Sequence, residues 1–411
     1  MDDRVHFERA YAEAEPGYSQ VAVSATAYTW SEPQTIPPRQ WIYGRQIQRK
    51  HVRGLVAQGG AGKTILSVGE ALSMVTGRPL LGQDVPGGPK RVWLWNLEDN
   101  LEELARIIQA ACKHWELNRA DIEGRLFVDS AVDGAPLKLA TSSPSSGLVI
   151  NRPVVAALTN ELIERGIDYL HVDPFVSSHG ANESDNMEID AIVKEWASVA
   201  HEANAAIGLA HHVSKAGASE VTAFSARGAT ALINACRSVL TLNRMSQEEA
   251  NGFGLQEEAR RRYFRAYDDK NNRAPPSQHS DWYHLASVEL GNGDEVSQGD
   301  SVGVVEPWSP PDAFDGVTAK HLYDVQRVID GGRWRENAQA NEWAGHAVGK
   351  VMGWHSDRDC KAERARITKI LRHWIGNGAL VVTEAPDAKS ILRKWVEVGT
   401  WALDSPPITS R

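Results

Sequence analysis

The stretch Ala57-Gln58-Gly59-Gly60-Ala61-Gly62-Lys63-Thr64 has the residue types and spacing to grip a chain of phosphates. Glycines at 59, 60 and 62 let backbone N–H groups turn inward around an anion, and a following helix N-terminus adds positive potential. The cradle runs from Gly59, Gly60, Ala61 and Gly62 through Lys63 and Thr64 to Ile65. Lys63 can reach the outer phosphates of a nucleoside triphosphate, and the Thr64 hydroxyl can ligate Mg²⁺, so ATP and Mg²⁺ are the implied ligands. One departure from G-x-x-x-x-G-K-[ST] is Ala57 in the first glycine position, which a negative φ would tolerate.

Other polar residues close apolar runs. Arg91-Val92-Trp93-Leu94-Trp95-Asn96-Leu97 ends in Glu98-Asp99, and Tyr169-Leu170-His171-Val172 ends in Asp173. Acidic residues at the C-terminal ends of parallel strands point into the ligand crevice. Glu98 is the candidate base for the water that attacks a γ-phosphate, while Asp99 is better placed to cap the helix that begins near Leu101. Asp173 fits the Walker B carboxylate that holds Mg²⁺ opposite Thr64 and is a second metal-binding candidate. Asp168, at the other end of that strand, reads as structural.

Ala206-Ile207-Gly208-Leu209-Ala210 leads into His211-His212, where a polar side chain could report on the γ-phosphate. Adjacent strand residues face opposite sides, so the two histidines are not expected to share a metal. Arg227 and Arg237 are candidate arginine fingers for a neighbouring subunit's nucleotide, with a buried salt bridge as the alternative for each. Lys270 is a further trans candidate.

These residues need a parallel sheet with crossover helices behind them, and the pattern from His51 to about Glu306 alternates accordingly. Strands are expected at Val52–Val56, Arg91–Asn96, Leu126–Asp129, Tyr169–Val172, Ala206–Ala210 and Ser238–Leu242. Helices are expected at Leu101–His114, Val154–Arg165 and Met187–Ala203. Two long loops interrupt them, Val132 to Pro153 and Ser214 to Ala226. Residues 1–50 read as an arm, 51–306 as the ATPase domain and 307–316 as a Pro-rich linker. Residues 317–411 read as three helices and a β-hairpin, a winged-helix plan. The fold class is therefore α/β, a mostly parallel central sheet of the P-loop NTPase kind, plus a small C-terminal domain.

In their order and spacing these motifs resemble the hexameric RepA-type replicative helicases of plasmids and phages, within the RecA-like ATPases. The resemblance covers roughly Trp41 to Pro275. It rests on Gln58 to Thr64, Asn96-Leu97-Glu98-Asp99, His171-Val172-Asp173-Pro174 and Asn182 to Asn186, then on His211 to Lys215, Ala226-Arg227-Gly228-Ala229, Arg237-Ser238-Val239 and Lys270-Asn271-Asn272. It implies a ring-forming ATP hydrolase that translocates on single-stranded or forked DNA. In it Glu98 is the catalytic base, Asp173 the Walker B acid, His212 the coupler of γ-phosphate to DNA-binding loops, and Arg237 the finger. The C-terminal module is an addition, which points to origin DNA or replication proteins as further partners. A rival reading is a DNA-binding initiator or KaiC-like regulator whose ATPase controls assembly; a recombinase is a third.

Composition sets the bounds. At 411 residues, with 42% hydrophobic and 24% charged residues, the chain suits a soluble protein of two domains. It has no run of eighteen apolar residues, so no membrane span is expected. The acidic Met1-Asp2-Asp3-Arg4 argues against a secretory signal. Three scattered cysteines fit a reducing cytoplasm rather than a disulfide framework or zinc site, and the 14 tryptophans read as core. Net charge is −9, yet Val317 to Arg411 carries 15 Lys+Arg against 11 Asp+Glu. That basic tail hints at nucleic-acid contact, through a helix bearing Lys361, Arg364, Arg366, Lys369, Arg372 and His373. Ile367, Ile370, Leu371 and Trp374 on that helix share one face and are expected to be core.

Overall fold

The computed structural model describes residues 24–213, 220–222, 230–275 and 280–403. They fall into two units, one ending at Arg39 and one starting at Gln40. The first contains a single 3-10 turn, Pro33–Thr35. The second opens with a small hairpin of β1 (Trp41–Tyr43) and β2 (Ile47–Gln48). Residues 40–50, grouped with the arm on sequence, thus belong to the larger unit: Ile42, Tyr43 and Ile47 are fully buried against the sheet and the phosphate-loop helix.

The chain then lays down β3 (Val52–Gln58), β4 (Val92–Asn96) and β5 (Leu126–Ser130). A hairpin of β6 (Ala140–Ser143) and β7 (Gly147–Ile150) follows. Next come β8 (Tyr169–Asp173), β9 (Ala206–Val213), β10 (Ser238–Arg244), β11 (Tyr263–Asn271), β12 (Asp281–Glu289) and β13 (Ser301–Trp308). All but β6 and β7 join one sheet of nine strands, in the order β13-β12-β11-β10-β3-β9-β8-β4-β5. From β10 to β5 every pairing is parallel, and β11, β12 and β13 add on antiparallel.

The parallel strands are buried on both faces and hence read as apolar runs. Val68 and Leu72 of helix Lys63–Thr76, with Ile107 and Ile108 of helix Leu101–His114, cover the face presenting Val92, Leu94 and Tyr169. Leu158 and Leu162 of helix Arg152–Arg165, with Ile192 and Trp196 of helix Asn186–Glu202, cover Val52, Val56, Leu170 and Leu209 on the other. The six expected strands and three expected helices are all present, most extended by one to three residues.

The departures have local causes. The loop Val132 to Pro153 contains the β6–β7 hairpin, whose polar Thr141, Ser142 and Ser143 hide its alternation. In β11 and β12, charged and polar residues are interspersed with buried and half-buried aromatics, and no unbroken apolar run announces them. The Pro-rich break begins later than expected, because Pro307 and Trp308 lie in β13, the outermost strand, where a missing N–H is tolerated.

The C-terminal part has its own core. Helices Ala319–Asp330, Gly345–Met352 and Lys361–Gly376 pack on an antiparallel sheet in which β16 (Leu392–Val398) lies between β14 (Trp334–Arg335) and β15 (Leu380–Pro386). Ile367, Ile370, Leu371 and Trp374 are buried there as their spacing requires. The middle of these helices starts only at Gly345. Asn337 Oδ1 accepts from Gln339 N at 2.9 Å in a side-chain turn that competes with helix, so Trp334 and Arg335 join the sheet instead.

This module rests on the ATPase body. Helix Gln247–Phe253, which follows β10, contacts helix Lys361–Gly376, and a Cβ on Gly254 would come within 2.9 Å of Ala362 Cβ. Among the described residues no helix is long and apolar enough to cross a membrane.

Candidate functional site

Strand β3 delivers the phosphate loop and helix Lys63–Thr76 receives it. Gly60 and Gly62 sit at φ of 69° and 95°, in the left-handed region that favours glycine, and Gly62 is the residue before the helix. A Cβ on Gly59 would meet nothing within 4 Å, so the loop is open where an anion would approach. Ala57 lies inside β3, in register with His212 and Leu242; a strand position needs no glycine.

Lys63, 4% exposed, directs its Nζ to His212 Nδ1 at 2.8 Å. Burial lowers the lysine pKa, an effect the charges of Asp173 and Glu98 oppose. An ammonium only donates, so Nδ1 accepts and the ring proton of His212 sits on Nε2. That nitrogen faces Glu98 Oε2 at 3.8 Å, within ion-pair range but beyond a hydrogen bond. Thr64 Oγ1 donates to Asp173 Oδ2 at 2.9 Å. Thus Lys63, Thr64, Glu98, Asp173 and His212, drawn from the loop and the tips of three neighbouring strands, meet at one crevice.

Hydrogen bonds fix the tips. Asn96, at the end of β4, accepts at Oδ1 from Glu98 N at 2.8 Å and Asp99 N at 2.7 Å, shaping the turn that presents Glu98. Leu97 N donates to Asp173 O at 2.7 Å and ties that turn to the next strand. The cap of helix Leu101–His114 is Asn100, which accepts from Glu103 N; Asp99, the expected cap, is instead bonded to Asn96 Nδ2 at 3.2 Å. Arg244, at the tip of β10, donates to the carbonyl of Gly60 and braces the loop from the far side.

Below the crevice, helix Lys63–Thr76 is laced to β8. Thr64, Ser67 and Glu70 recur at helical spacing, and Asp173, His171 and Tyr169 share one face of the strand. Ser67 Oγ and His171 Nε2 are 2.9 Å apart, and His171 Nδ1 lies 3.1 Å from Tyr169 Oη. Glu70 receives both guanidinium nitrogens of buried Arg53, at 2.7 and 2.8 Å. Burial lowers the His171 pKa, and a neutral ring donates to one hydroxyl and accepts from the other. Burial opposes the charge of Arg53, but Glu70 outweighs it and the guanidinium pKa rises.

The remaining sequence candidates lie elsewhere. His211 turns away from the crevice, is 5% exposed and faces Glu183 at 3.7 Å; burial, aided by the charges of His212, Lys63 and His179, pushes its pKa down to about 4. Arg237 is exposed at the start of β10, with its backbone bonded to Val52 O, and Arg244 marks the opposite end of that strand beside the loop. Seven residues of strand put the two about 20 Å apart, so Arg237 does not join this chain's own crevice. Lys270 donates to the carbonyls of Ile233 and Asn234 at 2.8 and 2.9 Å, capping a helix rather than reaching outward. Arg227 lies outside the described residues. Asp168 is structural, bonded to Arg49 and to Arg91 N.

The donor set fits a magnesium-bound triphosphate: a glycine cradle with left-handed turns, a buried ammonium aimed into the crevice, and a hydroxyl already paired with a carboxylate. Lys63 and the loop N–H groups would hold phosphate, and Thr64 with Asp173 would hold Mg²⁺. Residues 20–218 match the family model described as AAA domain. That stretch is an AAA-type P-loop ATPase domain, and the mostly parallel α/β sheet is consistent with a RecA-like P-loop NTPase. A nucleotide-dependent activity, ATP hydrolysis, follows from it. No curated protein matches the chain.

Proposed function

We propose that this protein is an ATP-driven DNA helicase or translocase, assembled as a ring, that serves replication of a plasmid, phage or other mobile element. The observation that carries the reading is His212, which touches Lys63 and faces Glu98 at the tip of β9, immediately before residues 214–219. A side chain that contacts both the phosphate-gripping lysine and the base is placed to feel whether the terminal phosphate is present. The chain beyond it is where that information leads.

Each residue then has a role. Glu98 orients and deprotonates the attacking water, and Lys63 with the loop N–H groups neutralises charge on the phosphates. Mg²⁺, which Thr64 and Asp173 would hold, would supply positive charge against that developing on the phosphates. Arg237, about 20 Å from its own loop, serves a neighbour's nucleotide, as a ring requires.

The test is ATP turnover with and without single-stranded DNA, together with strand displacement from a forked duplex. Stimulated turnover and displacement are expected, with a solution mass of six subunits when ATP and DNA are present. Turnover indifferent to DNA, with no displacement, rejects the reading.

A further inference from the structure

The C-terminal module contains a groove of about 590 Å³ between helix Lys361–Gly376 and strand β16. It is lined by Arg372 and Thr368 from the helix, Arg393 and Lys394 from β16, and Arg335 from β14. Glu336 is the one carboxylate among the lining residues. Arg372 and Lys394 stand on the two walls of the groove, whereas Arg393 and Arg335 alternate onto the other face of the sheet with Trp395 and only edge the groove. Arg372 and Lys394 are exposed and make no ion pair among the described residues. Arg393 shares Asp387 at 3.2 Å, and Arg335 lies 5.2 Å from the centre of the Trp395 ring with its Nε unbonded. Leu392, two-thirds exposed, adds an aliphatic edge.

The other arginines of the helix are engaged inside the module. Arg364 donates to the carbonyls of Ser356 and Ala338 and covers the Trp343 ring at 4.2 Å. Arg366 donates to Ala313 O at 2.9 Å and to Asp315 O, and covers Trp354 at 4.0 Å. The helix face that sequence suggested for DNA is therefore partly a structural face, and of the helix's cations Arg372 lines the groove while Lys361 and Lys369 lie outside it.

We infer that this groove holds the sugar–phosphate backbone of single-stranded DNA. The inference rests on the reading of a DNA-acting ATPase and names where a strand is gripped. Cations on opposing walls suit one line of phosphates passing between them, whereas reading a duplex needs a convex element that enters its major groove. Binding is dominated by charge and weakly dependent on base sequence.

The experiment is fluorescence anisotropy of a labelled oligo-dT on the full chain carrying Lys63→Ala, without nucleotide, across a salt series. Two phosphates neutralised gives a log–log salt slope of about −1.4, hence about sevenfold weaker binding at 200 than at 50 mM salt. Arg372→Glu with Lys394→Glu is expected to weaken binding at least tenfold and to flatten the slope; the milder pair Arg372→Ala and Lys394→Ala reduces it in the same direction. Lys350→Glu, on an exposed helix position outside the groove, leaves it unchanged. Unaltered affinity in the double variants, equal loss in Lys350→Glu, preference for duplex, or equal displacement by polyglutamate would each overturn the inference. DNA-stimulated turnover of the otherwise unchanged chain is read separately: stimulation that survives groove mutation without affinity loss sinks the groove alone. Groove-dependent binding with no stimulation sinks the motor alone.

Discussion

Glu98, half exposed at the tip of its strand, stands where a base should, and His212 between it and Lys63 makes the three a unit. Glu98→Gln keeps the shape and removes the proton acceptor. Its turnover is expected to fall about 10²–10⁴-fold while nucleotide affinity holds, read by steady-state ATPase assay beside a nucleotide-binding titration. Unchanged turnover would move the base elsewhere. That these residues meet was legible from sequence because their placement follows from local position: a glycine spacing, or a carboxylate closing an apolar run. Ser67, His171 and Arg244 were not, since each acquires its role from a partner 104 or 184 residues away. Arg364 and Arg366 mislead for the same reason. A basic helix face says nothing of the tryptophans and carbonyls that other segments bring to it.

At the scale of elements, the six parallel strands were readable because burial on both faces leaves continuous apolar runs. The antiparallel extension and the β6–β7 hairpin were not, because half-buried strands broken by charged residues in the first and by Ser and Thr in the second resemble loops. The lacing between helix Lys63–Thr76 and β8 is the element-scale device that holds Thr64 over Asp173. It needs space on the neighbouring strand, and Gly208 of β9 provides it: a Cβ there would lie 1.9 Å from Tyr169 Oη and 2.8 Å from His171 Nδ1. Gly208→Ala is expected to destabilise the fold by about 1–3 kcal/mol as the overpacked side chains shift. Urea unfolding measures it, and adding Tyr169→Phe, which removes the nearest atom, should recover part of the loss. Equal stability of Gly208→Ala and the parent would show that the lacing is slack.

Two buried histidines report on the whole molecule. His211 and His179, 5% and 3% exposed, have pKa values pushed down to about 4, first by burial and then by neighbouring positive charge. Both are neutral in the folded chain, and the unfolded chain takes up protons near pH 6.5. Their contribution to stability is therefore complete above pH 6.5 and declines as pH falls from there toward 4, by up to about 1.4 kcal/mol per pH unit for each. Urea midpoints at pH 7.5 and 5.0 should differ accordingly, and the variant His179→Gln with His211→Gln should narrow the gap. An undiminished gap would assign the acid sensitivity to other groups, buried His171 and the carboxylates among them.

Helix Gln247–Phe253 leaves β10 just beyond Arg244, the residue bonded to the phosphate loop, and seats Gly254 so closely on Ala362 that no methyl group fits between them. The C-terminal module is in this way clamped to the strand whose tip steadies the loop, rather than swinging on the proline-rich connection. This contact offers a path, separate from the proline-rich connection, by which displacement of the module would reach Arg244 and the phosphate loop.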